Sequence, residues 1–159
     1  MDNRLITGET LSLGYPDGFH IMTGEELSKM NVYGGGTGEG LSDPDRHILI
    51  TVGYKHAGAL TGLLANAKDA AGSMEGRLKK LMQPYGYKKG GFCTKTVGNE
   101  SAEGFSYEYE AQGIGMYGES YVIKRGKTFW YLHFYARTEL KAESLKVWYD
   151  ILSSAEWIQ

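Results

Sequence analysis

Residues 104–137 read GFSYEYEAQGIGMYGESYVIKRGKTFWYLHFYAR. Trp130, Leu132, Phe134 and Ala136 recur at every second position, the period of a half-buried strand. The short stretch KRGK predicts a tight hairpin turn at Arg125-Gly126. That turn pairs Ile123 with Thr128, Tyr121 with Trp130 and Tyr117 with Phe134, so Tyr117, Tyr121 and Ile123 share the core face. The connection QGIGM then decides where a third strand points. A loop of even length opposes Glu108 to Glu119, which like charges disfavour, and sends Phe105, Tyr107 and Tyr109 away from Trp130. A three-residue Gly113-Ile114-Gly115 loop shifts the register by one and flips the face. We adopt that register, which brings Phe105, Tyr107, Tyr109 and Ala111 to the core.

The opposite face then carries Glu108, Glu110, Gln112, Met116, Gly118, Ser120, Tyr131, His133, Tyr135 and Arg137. Small residues between large polar ones predict a shallow groove. Its candidate binding residues are Glu108, Glu110, Tyr131, His133, Tyr135 and Arg137, because tyrosine and arginine are favoured at interfaces. The plainer reading is a solvated face of an antiparallel sheet, where alternating polar residues are normal. An enzymatic alternative uses Glu108, Glu110 and His133 as acid-base groups, although no nucleophile or metal set accompanies them. Glu119 is the misfit of this register: it points at the core, to reach a tyrosine hydroxyl or to lie at a rim.

Working outward, Ile48, Ile50, Val52 and Tyr54 alternate as a half-buried strand. Thr23 and Glu26 form a capping box for a short helix. Apolar residues from Leu60 to Met82 recur at three and four, one face of a long amphipathic helix. Gly62, Gly72 and Gly76 lie inside it and each costs about 1 kcal/mol relative to alanine, so packing offsets this or the helix breaks. Strands are expected near residues 87–97, 103–112, 116–124 and 127–137. A last helix, near 139–154, buries Leu145, Trp148, Ile151 and Leu152. This order predicts an α+β fold, an antiparallel sheet flanked by helices. With no repeat or linker, residues 1–159 read as a single domain.

Residues 35–42, GGTGEGLS, match the phosphate-loop pattern except that Leu41 replaces its lysine. A phosphate loop also opens a helix, whose N-terminus holds the phosphate. Here Asp43, Pro44 and Asp45 follow, which break a helix and repel phosphate. We therefore expect a flexible surface loop and no nucleotide.

The chain has 159 residues, one cysteine and a formal net charge of −2. That balance favours neither nucleic acid nor an anionic membrane. Cys93 has no disulfide or metal partner, and we expect it to be a small buried residue. Asp43, Asp45 and His47 could suggest a metal but read as plain loop polarity, so no cofactor is expected. No segment approaches the roughly 20 apolar residues of a membrane span, and no signal core opens the chain. These features predict a cytoplasmic protein without membrane insertion.

Three stretches carry a resemblance: YPDGFHIMTGEE near the start, the central hairpins quoted above, and SLKVWYDILSSAEW near the end. They resemble the opening P-x-G-F strand and turn, the hairpins and the closing helix of PsbP-like proteins. The resemblance implies an α/β/α sandwich. Its superfamily includes a photosystem extrinsic subunit, a Ran-binding nuclear transport factor and DcrB-like bacterial proteins, some of them chaperones that hold hydrophobic helices on a concave sheet. It therefore implies a non-enzymatic binding, adaptor or chaperone-like module whose partner is a protein or a second copy of the chain.

Overall fold

A computed structural model describes residues 1–30 and 37–158. In chain order its elements are β1 (Asn3–Thr7), β2 (Leu11–Tyr15), β3 (His20–Ile21), α1 (Gly24–Lys29), β4 (Thr37–Asp43), β5 (Ile48–His56), α2 (Ala59–Leu64) and α3 (Ala67–Met82). The second half adds β6 (Lys88–Val97), β7 (Glu100–Ala111), β8 (Ile114–Arg125), β9 (Thr128–Arg137), α4 (Lys141–Ser153) and β10 (Glu156–Trp157). The architecture is α+β. A seven-stranded sheet runs β3-β4-β5-β9-β8-β7-β6, and a three-stranded sheet runs β1-β2-β10. Each described pairing is antiparallel.

The middle of the large sheet is buried on both faces. On one side Tyr117, Tyr121, Ile123, Trp130, Leu132 and Phe134 pack under Trp148 and Ile151 of α4 and Leu11 and Leu13 of β2. On the other side Phe105, Tyr107, Val122, Phe129 and Tyr135 pack under Ala71, Met74 and Leu78 of α3. Trp130 and Trp148 are core residues, as their phase predicts.

The hairpin turns fix these faces. Gly126 has φ +60° and opens a Gly126-Lys127 turn, so Arg125 opposes Thr128 and Tyr121 opposes Leu132. The expected pairing is thus displaced by two residues, which leaves every side chain on its expected face. The next hairpin does change a face. Its loop is Gln112-Gly113, with φ +52° and +79°, and Ala111 opposes Ile114. An even loop sends Phe105, Tyr107 and Tyr109 away from Trp130, the reverse of the expected register. The feared contact does not arise, because Glu108 opposes Tyr117 and Glu119 opposes Ser106. Two aromatic-over-glycine pairs mark this register. Tyr107 opposes Gly118 on one face and Tyr121 opposes Gly104 on the other, and a Cβ on either glycine would meet the ring.

Three further expectations are corrected. The part of GGTGEGLS within the described residues belongs to a strand, β4, rather than a surface loop; residues 35 and 36 lie outside the described residues. Leu41 is fully buried, and Met22 occupies the space where a Gly40 side chain would stand. The long helix is two helices. Asn66 caps the second by accepting from the Asp69 N–H at 2.8 Å, which favours a fresh start there. Leu60 and Leu64, expected in the core, are exposed as a result. Cys93 is exposed on the edge strand β6.

Candidate functional site

The structure divides the predicted groove between two faces. Met116, Gly118 and Ser120 of β8 oppose Arg137, Tyr135 and His133 of β9, so these residues do share a face. Glu108 and Glu110 oppose Tyr117 and Gly115, and therefore stand on the other side of the sheet. The acid-base trio of Glu108, Glu110 and His133 is not assembled. The change follows directly from loop parity, since one residue reverses every side chain of a strand.

His133 is buried rather than open to a groove. Its Nδ1 lies 2.8 Å from Ser120 Oγ, and the Tyr107 hydroxyl lies 3.4 Å from the same Ser120 oxygen. His133 also stacks on Tyr135, with ring centroids 6.3 Å apart. Burial disfavours the charged imidazole and lowers the His133 pKa to about 3. A neutral histidine beside serine resembles half of a nucleophilic triad. Here, however, Ser120 has no exposed surface, so the pair sits in the core as a satisfied polar contact.

Around it the tyrosines form a ladder. Tyr87 stacks on Tyr107 at 5.6 Å and Tyr109 stacks on Tyr107 at 6.0 Å. The Tyr87 hydroxyl donates to Glu75 Oε2 of α3 at 2.9 Å, which ties helix to ladder. Along β9, Tyr131 is half-buried, while Phe129, His133 and Tyr135 are buried. Burial raises the Tyr131 pKa and the charge of Arg77 lowers it. Arg137 is half-buried and lies 3.8 Å from Glu139.

The opposite face holds a second polar node, whose centre is Glu119. This carboxylate is buried and accepts four hydrogen bonds. Tyr117 and Tyr149 donate to Oε2 at 2.6 and 3.0 Å, and Tyr121 and Trp148 donate to Oε1 at 2.8 and 3.1 Å. Glu119 thus reaches tyrosine hydroxyls, one of the two outcomes the sequence left open. Burial, and then the Glu119 charge and hydrogen bond, hold the Tyr117, Tyr121 and Tyr149 hydroxyls in their neutral form by raising their pKa values. Neutral phenols facing one carboxylate make a locking contact between β8 and α4.

Asp43 also serves structure. Asp43 is buried, accepts the Arg46 N–H at 3.1 Å and lies 3.3 Å from Arg46 Nε. Gly18 has φ +105° and leaves the space that Asp43 fills. Among the described residues no group of three His, Cys, Asp or Glu side chains is placed to hold a metal. No helix among them is long and apolar enough to cross a membrane.

The chain matches no protein-family model and no curated protein. Its coordinates match the cyanobacterial PsbP (CyanoP) of Synechocystis sp. PCC 6803 with a TM-score of 0.72, covering 98% of this chain and 91% of that one at 10% identity. The fold is PsbP-like. A second match is LpqN, involved in cell envelope biogenesis of Mycobacterium tuberculosis, with a TM-score of 0.66 over 92% of this chain and 82% of that one at 15% identity. A third is PA94, a protein of unknown function from Pseudomonas aeruginosa, with a TM-score of 0.58 over 96% of this chain and 94% of that one at 12% identity.

One signal in the sequence could have exposed the second core. FWYLHFYA, residues 129–136, carries no Asp, Glu, Lys or Arg. A strand buried on one face alternates with charge, whereas a near-continuous apolar run marks burial on both faces. Val122 and Phe129 have the phase of Tyr131 and point to the same conclusion.

Proposed function

We propose that residues 1–159 form one PsbP-like domain that acts as a non-enzymatic binding module for a protein partner or a second copy of the chain. The observation that carries this reading is the half-buried Tyr131 at the margin of the α3-covered face. Tyr131 opposes Gly53, and Gly53 opposes Gly38, so two positions without side chains adjoin the ring. A large amphipathic ring beside bare backbone offers a flat contact of the kind that anchors interfaces. Arg137 at the far end of β9 adds a half-exposed guanidinium. Glu110 is exposed and Glu108 half-buried on the other face, where they serve at most a separate contact. A cytoplasmic setting is part of this proposal, because a lone cysteine requires no oxidising compartment. The enzymatic alternative is the weaker reading, because Glu108 and Glu110 stand on the face opposite His133.

The test is affinity capture from the native host with wild-type and Tyr131→Ala bait. The reading expects a defined partner, or a second copy, recovered by wild type and reduced about thirtyfold in affinity by the substitution. Tyr131 packs against the α3-covered cluster, so the variant should melt somewhat lower, and recovery is compared at a temperature where both baits are folded. Equal recovery by both baits would remove Tyr131 from the contact.

A further inference from the structure

The segment after β5, AGALTGLLAN at residues 57–66, carries no charge. Its helix α2 leaves Leu60 and Leu64 71% and 74% exposed, so nothing among the described residues covers these two side chains. The surroundings are mostly basic. No acid occurs between Asp45 and Asp69, and none between Glu119 and Glu139. The end of the sheet brings these two acid-free stretches together. Lys55 opposes Phe129, and His56 opposes Thr128. Lys127 packs its stem against Gly62 of α2, and the Ala57 N–H donates to the Lys127 carbonyl at 2.8 Å. The Lys124 ammonium donates to the Ala65 carbonyl at 2.6 Å, just beyond α2. Lys68 follows, exposed, in the first turn of α3. Two nearby acids offset part of this charge: Asp69 adjoins Lys68, and Glu100 pairs with Arg125 at 3.2 Å.

We propose that this tip docks on an anionic lipid surface, with Leu60 and Leu64 entering the headgroup region and Lys55, Lys68 and Lys127 facing lipid phosphates. The contact lies on the membrane and does not cross it. Exposed leucines on an uncharged segment gain from leaving water. Basic side chains around them match the negative potential of the leaflet. The net charge of −2 does not oppose this, since the fields that matter act within a Debye length of the tip. The inference concerns a surface other than Tyr131 and stands apart from the function proposed above.

The test is co-sedimentation of the full chain with phosphatidylcholine vesicles, with and without 30% phosphatidylglycerol, at low and high salt. The proposal expects binding to the anionic vesicles that falls as salt rises. Leu60→Ser/Leu64→Ser should weaken it at least tenfold. Lys55→Glu/Lys68→Glu should also weaken it at least tenfold, since each lysine near such a surface is worth about fivefold. Both variants should melt like wild type, because the altered side chains are exposed. Absence of wild-type binding at low salt overturns the proposal. So does binding that survives the leucine substitutions, which makes it plain surface charge. A leucine-dependent dimer without vesicle binding assigns the tip to a second copy and overturns it as well.

Discussion

The Trp148 indole N–H donates to Glu119 Oε1 across 3.1 Å, from the helix α4 to the middle of the seven-stranded sheet. The same ring stacks on Phe134 at 5.2 Å, so it contributes both packing and a donor. Trp148→Phe should keep most of the packing and lose the donor, at about 1–3 kcal/mol. Glu119→Ala should cost more, about 3–5 kcal/mol, because four buried donors lose their acceptor. Urea unfolding of the two single variants and the double variant measures the coupling. A coupling near zero would show that the indole and the carboxylate do not interact.

Glu119 also shows what the sequence could and could not convey. Tyr117 and Tyr121 stand two residues to either side of it, and their shared face is legible from strand alternation. Trp148 and Tyr149 lie about thirty residues away, on a helix whose docking no local pattern specifies. Without those partners a glutamate reads as a surface residue, and the supposed repulsion between Glu108 and Glu119 tips the hairpin toward the wrong parity. Gln112 in the left-handed region adds to the difficulty, since glutamine is not a residue that announces such a turn. The strand positions, the closing helix and the PsbP-like fold depend on periodicities that survive this error. The groove needed both the odd parity and an uncovered face: parity moves Glu108 and Glu110 away, and α3 packs over the face of Tyr135.

The aromatic-over-glycine pairs give a test of register. Gly118→Ala drives a methyl into the Tyr107 ring, and Gly104→Ala does the same to Tyr121. Each should destabilise by about 1–3 kcal/mol. Gly72→Ala in α3 has open space around it and should instead stabilise by up to about 1 kcal/mol. Thermal melts of the three variants check the contrast. Two harmless substitutions in the sheet would mean that the rings lie elsewhere.

Restoring the missing lysine of the phosphate-loop pattern should not create a nucleotide site. Leu41 is fully buried between β3 and β5, and Leu41→Lys places a charge in that core. Its expected cost is about 3 kcal/mol or more. Calorimetry with ATP and magnesium should show no binding by wild type or by the variant. A folded, ATP-binding Leu41→Lys protein would contradict the strand.

Below neutrality His133 should make stability depend on pH. Its folded pKa, about 3, lies below the ordinary imidazole value near 6.5 because the ring is buried. Between those values the unfolded chain takes up a proton that the folded chain refuses. The contribution is complete above about pH 6.5 and is lost as pH falls toward 3, at about 1.4 kcal/mol per pH unit. Urea midpoints of wild type and His133→Gln, compared across this window, should show a shallower slope for the variant. Identical slopes would remove His133 as the cause.

The central claim is that the face bearing Tyr131, His133 and Tyr135 is a second core beneath α3 and not an open groove. The most direct measurement is an NMR titration of the four histidines of the folded wild-type chain, with the His133 resonances assigned by comparison with His133→Gln. The account predicts that the His133 imidazole stays neutral from pH 8 down to at least pH 4.5 for as long as the protein remains folded. A His133 that gains its proton near pH 6.5 in the folded state would place the ring in water and contradict the buried face.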